Sequence, residues 1–457
     1  MNFSGLIRLQ FAYELDLQQL SDNGKISWRN SDNQTESFDC HERLTSIDFS
    51  TLAETAFTQK NVATAIDFAK EALRMVTSKV DEGVRSLTDF HLKRLKTMVR
   101  DLMKMNNGYL IKREIFLLKD FMVKPYLVNE KLERKKKQPK FVKNQTYRWG
   151  ELGDSSFGQD WIFMSVCRHG RIAKFDIVKR ELNCRFLHHS DPYLKLGPFK
   201  EEQKSERPYA VIFHDILSDL EMDYLVNTSR PNLSRSRYGS DDVQDVLGDY
   251  EFKQGNKVKI IHKTVQAWLS DVEFYHDRKN EIFFEVSLNQ SQYPILAKLA
   301  KKIKLATQLE VNRPYSATKM QVTNYGLAGL CETHIDPHGY IEGKDLPPSR
   351  LDLIDSGDMI GTFMAWLKDV GAGGGTAYVV PAYEGIIQPE KGAAAFWYDL
   401  LSNSHRDTTT QHGGCPVLKG SKWILNKWMY SYDNFAKFPC GMESGQPIPA
   451  PDISHYY

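Results

Sequence analysis

Cysteine is scarce, with six residues in a chain of 457, too few for a disulfide framework, and no C-x-x-C pair offers a zinc site. Nowhere is there a run of 18 or more apolar residues, the length a membrane-spanning helix needs, so no membrane span is expected. Charge of one sign is also lacking. A net charge of +2 gives nucleic acid no general hold, and no nucleic-acid partner is expected. The start, Met1 to Arg8, has no basic stretch followed by a sustained apolar run and does not read as a signal peptide. The expectation is a cytosolic chain or one whose true start is missing.

What is present is a globular composition, 41% hydrophobic and 12% aromatic, with length enough for two or three domains. Apolar residues at helical spacing (Leu6, Leu9, Ala12, Leu15) predict one helix up to Leu20, broken by Ser21-Asp22-Asn23-Gly24. Thr45, with Asp48 three residues on, predicts a helix start, and a turn at Gln59-Lys60-Asn61 makes the stretch to Met75 two antiparallel helices. Leu52, Ala53, Ala65 and Ala72 are placed as in a tetratricopeptide repeat, where small residues let paired helices approach closely. Leu87 to Val123 reads as further amphipathic helix. The basic, proline-containing run Lys131 to Lys140 reads as a solvated linker.

Beyond Tyr209 the pattern changes. Ala210 to Phe213 reads as a buried strand, Ser218 to Asn227 as a capped helix and Tyr293 to Thr307 as another helix. Met320 to Tyr325, Gly361 to Leu367, Gly375 to Val380, Ala393 to Trp397 and Trp423 to Tyr430 are short, β-rich and separated by Gly or Pro turns. Such strands after a few helices imply a double-sheet jelly roll, whose interior can hold a metal. The fold class expected is therefore α+β. Gly441 to Tyr457, rich in Pro and Gly, reads as a loose tail.

Within the strands, His334-Ile335-Asp336 puts a His and a carboxylate on one face, because strand side chains alternate with period two. Alone the triplet specifies little. A later His on a neighbouring strand, His412, would complete the two-His, one-carboxylate face of non-haem Fe(II) oxygenases. A zinc hydrolase could use the same three ligands.

Residues from about Tyr209 to Cys440 resemble the catalytic domain of collagen prolyl 4-hydroxylase α-subunits, through QVTNYG, the H-x-D, AGGGT, KGAAAFWYDL, HGGCPVLKGSKWILNKW and FPC, in that order. The resemblance implies His334, Asp336 and His412 as iron ligands, and Lys422 as the cation for the far carboxylate of 2-oxoglutarate. It further implies Tyr325 and Thr376 as hydroxyl donors to that carboxylate, and Fe(II), 2-oxoglutarate, O2 and ascorbate as cofactors. It places two disulfides, Cys167 with Cys184 and Cys415 with Cys440, and leaves Cys40 and Cys331 over. It divides the chain into a remnant of a dimerisation region (1–40), a tetratricopeptide-like peptide-substrate-binding domain (41–130), a linker with a disulfide loop (131–205), the dioxygenase domain (206–440) and a tail (441–457).

The activity implied is hydroxylation of peptidyl proline to 4-hydroxyproline in procollagen or a similar secreted protein. It is coupled to conversion of 2-oxoglutarate to succinate and CO2, in the endoplasmic reticulum lumen, with protein disulfide isomerase as partner. Sequons at Asn2, Asn33, Asn144, Asn227, Asn232 and Asn289 permit glycosylation there, and the tail has no KDEL-type signal of its own. The alternative is a catalytically weak peptide-binding subunit. Departures from the family cluster in the expected peptide groove. Cys331 stands where the family has Tyr, His262-Lys263-Thr264 ahead of Trp268 where it has Arg-x-Ser, and Pro337-His338 after the H-x-D where it has an aromatic and a small residue.

Overall fold

A computed structural model describes residues 3–30, 34–40, 42–59, 61–78, 88–111, 156–170, 183–189, 191–206, 208–235, 265–269, 273–277, 282–286, 294–312, 316–337, 357–379, 385–438 and 447–448. The chain divides into two compact units, Met1–Ile172 and Ala173–Tyr457.

In the first unit, α1 (Phe3–Tyr13) and α2 (Leu17–Asn23) replace the single helix expected up to Leu20. The break falls at Glu14, whose φ of 50° leaves the right-handed helical region. Asp16 then restarts the helix by accepting the Gln19 N–H. Gly24, at φ 64°, ends α2 in the left-handed conformation that a Cβ would penalise. A hairpin follows, β1 (Lys25–Arg29) against β2 (Thr35–Asp39). Helices α3 (Ser46–Thr58) and α4 (Val62–Thr77) form the expected pair. Thr45 and Asp48 close a reciprocal capping box, Asn61 caps α4, and Leu52, Ala53, Ala65 and Ala72 are fully buried in the pair. α5 spans Thr88–Ile111, and the rest of the helix expected to Val123 lies outside the described residues, as do the Lys131–Lys140 run and the tail after Ile448. α6 (Ser156–His169) returns to α1, where the Arg168 guanidinium donates to the carbonyls of Phe11 and Ala12 at 2.7 and 2.8 Å. These are orphan acceptors at the C-terminal end of α1.

The second unit opens with β3 (Cys184–Leu187), α7 (Pro192–Leu196), β4 (Phe199–Glu206), β5 (Tyr209–His214) and α8 (Asp219–Ser229), the last capped by Ser218 as expected. Next come β6 (Ser234–Arg235), β7 (Val265–Leu269), β8 (Glu273–Asp277), β9 (Ile282–Val286) and α9 (Pro294–Thr307). The remaining strands are β10 (Met320–Tyr325), β11 (Cys331–His334), β12 (Met359–Trp366), β13 (Ala372–Gly373), β14 (Thr376–Tyr378), β15 (Ile386–Ile387), β16 (Ala394–Tyr398), β17 (His412–Gly414), β18 (Val417–Lys419) and β19 (Lys422–Tyr430).

Nine strands in the order β3-β4-β5-β16-β12-β19-β10-β7-β6 make the major sheet, and β11-β17-β14-β15 make the minor one. This is a two-sheet jelly roll, and its major sheet starts at Cys184, ahead of the boundary expected at 206. Both faces of the central strands are buried. On β12, Phe363 and Ala365 join a core shared with α8 and α9, while Met364 and Trp366 join a second core with Tyr378 and Ile387 of the minor sheet. β16 alternates likewise, Phe396 and Tyr398 one way and Ala395 and Trp397 the other. Strands buried on both faces read as continuous apolar runs, and these do.

The expected Cys167–Cys184 disulfide is corrected. Cys184 is an exposed, free cysteine at the start of the edge strand β3, whereas Cys167 is buried on α6 and disulfide-bonded. Cys415 is also disulfide-bonded, and its expected partner Cys440 lies outside the described residues.

Candidate metal centre and cosubstrate pocket

β11 and β17 run antiparallel, and their register sets His334 directly opposite His412. Directly opposed residues are the closest side-chain pair a sheet offers, and the two imidazole centroids lie 4.6 Å apart. Asp336 follows β11 by two residues. One ligand atom from each of His334, Asp336 and His412 can be chosen so that all three lie within 4.8 Å of one another.

Each imidazole is oriented from behind. His334 Nδ1 lies 2.8 Å from the Glu332 carbonyl and His412 Nδ1 lies 2.9 Å from the Thr410 carbonyl, in both cases the carbonyl two residues upstream. A carbonyl only accepts, so Nδ1 carries the proton and the Nε2 lone pair is left for a cation. Both Nε2 atoms face Asp336, at 3.3 Å from Oδ1 for His334 and 3.8 Å from Oδ2 for His412.

Burial alone would raise the Asp336 carboxyl, but His412, His334 and a hydrogen bond from Thr362 hold it well below the usual carboxylate range. His412 is pulled down to about 4, chiefly by burial, and is neutral at pH 7. At His334 burial opposes the charged form, yet Cys331 and Asp336 together push it well above its ordinary value. A divalent cation would displace that proton. Two imidazoles and an ionised carboxylate suit Fe(II).

Lys422 lies next to this centre at the first position of β19, opposite Tyr325 on β10. The residue is 1% exposed, and its ammonium sits 5.2 Å from the centroid of the Tyr325 ring and 3.4 Å from Thr376 Oγ1 of the minor sheet. Among the described residues no carboxylate pairs with it. Burial pulls the ammonium down to about 7, the behaviour of a buried cation short of its counter-ion. Burial also keeps the Tyr325 phenol protonated. An ammonium within reach of the Thr376 hydroxyl and over the Tyr325 ring, in an apolar wall, suits a bound carboxylate. Gly374, at φ 70°, lets the chain turn so close that an added Cβ would lie 3.5 Å from Lys422 Cδ.

Cys331 lies on the rim of this pocket, buried, with Sγ 3.5 Å from His334 Nδ1. Of the other groove candidates, His262 and Thr264 are outside the described residues, and Trp268 is placed only by its backbone, opposite Gln321. Three residues at the centre carried no sequence signal as site residues. Trp397 and Tyr378 pack on His412 with ring centroids at 4.9 and 5.6 Å, and Thr362 donates to Asp336. The alternation of β16 places Trp397 on the inner face, but nothing local to Thr362 reports its partner.

Residues 320–430 match the 2OG-Fe(II) oxygenase superfamily, whose name specifies the cation and cosubstrate that the two halves of the site suit. The chain is 30% identical to human prolyl 4-hydroxylase subunit alpha-1 over 278 residues, 60% of this chain and 44% of that protein. It is 32% identical to the bovine subunit alpha-3 over 259 residues, 57% and 40% of the two lengths. The chain thus spans less than half of the curated relatives it matches. A viral collagen prolyl hydroxylase from Paramecium Bursaria Chlorella virus-1, solved as its 2OG complex, aligns at 19% identity and a TM-score of 0.30, covering 48% of this chain and 95% of that one.

Proposed function

We propose that this chain is an Fe(II)- and 2-oxoglutarate-dependent dioxygenase that hydroxylates peptidyl proline to 4-hydroxyproline in procollagen or a similar secreted proline-rich protein. The observation that carries the reading is the pairing of a two-His, one-carboxylate face with a buried ammonium that pairs with no carboxylate among the described residues. A zinc hydrolase explains the first and not the second.

His334, Asp336 and His412 would hold the cation. Lys422, with Tyr325 and Thr376, would take the far carboxylate of 2-oxoglutarate. Bound iron, with O2 and 2-oxoglutarate, supplies the oxidising power, the cosubstrate leaving as succinate and CO2 and one oxygen atom entering a C–H bond. The chain's own work is positioning and exclusion of water, done by the apolar wall of Met364, Trp366, Tyr378 and Trp397 between the sheets. Ascorbate would return oxidised iron to Fe(II). The paired helices α3 and α4 would belong to a tetratricopeptide-like module gripping the extended peptide. Residence in the endoplasmic reticulum lumen and association with protein disulfide isomerase complete the reading, supported by the disulfide-bonded Cys167 and Cys415.

Mass spectrometry of proline-rich peptides incubated with the chain, Fe(II), 2-oxoglutarate and ascorbate tests it. A gain of one oxygen on proline is expected, with succinate formed in step and both lost in His334→Ala. Absence of the gain across a broad peptide panel, or succinate release unchanged by His334→Ala, would sink it.

A further inference from the structure

Thr362 lies on β12 with its side chain turned toward the minor sheet, on the parity of Met364 and Trp366. Its hydroxyl is held between two carboxyl groups, 2.7 Å from Asp336 Oδ2 and 2.6 Å from Asp399 Oδ2. A hydroxyl has one proton. Two oxygen–oxygen contacts this short each need a hydrogen between the atoms, so the second must come from a carboxyl. Asp336 faces two imidazoles; Asp399 faces no cation among the described residues and is fully buried.

We propose that Asp399 and Thr362 form a donor relay, acid to hydroxyl to carboxylate, that ties down Oδ2 of Asp336 and leaves Oδ1 for the metal. The inference rests on the reading of Asp336 as a metal ligand. Asp399 and Thr362 are positioning residues, since neither reaches the metal position itself.

The backbone around Asp399 is fixed for the task. It follows β16 directly, its N–H donates to the Ile360 carbonyl at 2.9 Å, and its own carbonyl accepts from the Asp407 N–H at 2.9 Å. Burial first, and the Asp336 charge second, push the Asp399 carboxyl well above the usual range, so it keeps its proton at neutral pH. The Trp397 indole lies near enough to favour the anion slightly, but it makes no well-formed hydrogen bond to Asp399 Oδ1, which has no other partner among the described residues. A buried anion would leave that oxygen uncompensated, whereas in the neutral acid it is a carbonyl-type acceptor with far less to lose.

The relay predicts how substitutions sort. Asp399→Asn keeps a neutral donor in the same shape, and Thr362→Ser keeps the hydroxyl. Asp399→Leu and Thr362→Val remove one link each. The measurement is Co(II) titration of metal-free protein, read by the visible absorption of the bound ion, alongside the melting temperature of each metal-free variant. The Leu and Val variants are expected to bind Co(II) about 10–100-fold more weakly with an altered spectrum. The Asn and Ser variants should stay within about threefold of wild type, and the Leu/Val double variant should lose no more than the worse single, because one chain is cut in either place. A folded Leu variant with wild-type affinity and spectrum would overturn the relay, as would an Asn variant that loses as much as Leu. Failure of the wild type to bind Co(II) would overturn the reading of the metal centre and the relay with it.

Discussion

Single residues decide most of this site, and Lys422 does so through its charge. Burial holds its ammonium down to about 7 in the free protein. An arriving carboxylate favours the charged form, so above about pH 7 binding must take up a proton. Affinity for 2-oxoglutarate, measured on the Mn(II)-loaded chain, should therefore fall as pH rises through 7, by up to about tenfold per unit. Calorimetry in two buffers of different ionisation enthalpy should register the uptake at pH 8 and little at pH 6. Lys422→Met should weaken binding at pH 6 and abolish the uptake. His334, Asp336, His412 and Lys422 were reached through the family resemblance, which carries them by motif order, and the structure brings the first three together. Asp399 was not, because an aspartate after an apolar strand reads as an ordinary turn residue until Thr362, far away in the chain, is placed beside it.

Elements were legible where local signals stood alone. Thr45 and Asp48 announced α3, Ser218 announced α8, and the strands around residues 320–430 fell near their predicted places. The hairpin β1–β2 was missed because neither strand shows an alternating apolar run: Ile26 to Trp28 are all buried on β1, while β2 is exposed except for the half-buried Phe38. Helix periodicity likewise ran through Glu14, where a single positive φ divides α1 from α2. At the strand pair β12–β16 a small change should matter. A Cβ added at Gly361 would meet Phe396 Cε2 at 2.9 Å and the Trp397 carbonyl oxygen at 3.2 Å. Gly361→Ala is expected to destabilise by about 1–3 kcal/mol, each kcal/mol lowering the melting temperature by about 2–4 °C for a unit of this size. By moving Thr362 it should also weaken Co(II) binding, which separates it from overpacked glycines elsewhere.

At the scale of the whole chain, the candidate site draws every residue from Ala173–Tyr457. Hydrogen exchange with and without Mn(II) and 2-oxoglutarate should show added protection in β11, β14, β17 and β19, with α3 and α4 unchanged; protection spread equally over α3 and α4 would contradict that division. No helix among the described residues is long and apolar enough to cross a membrane.

The cross-strand pairing of His334 with His412 has one more consequence. The two residues share a rung of the sheet, yet the chain between them holds β12, β13, β14, β15 and β16. A cation shared by both is a knot in the polymer sense, closing a long loop that the free chain must otherwise close against its own entropy. A covalent tie across a loop of similar span is worth about 4 kcal/mol, and a reversible one yields its share only while the ion is bound. Removing the cation should therefore lower the melting temperature of the unit that holds it.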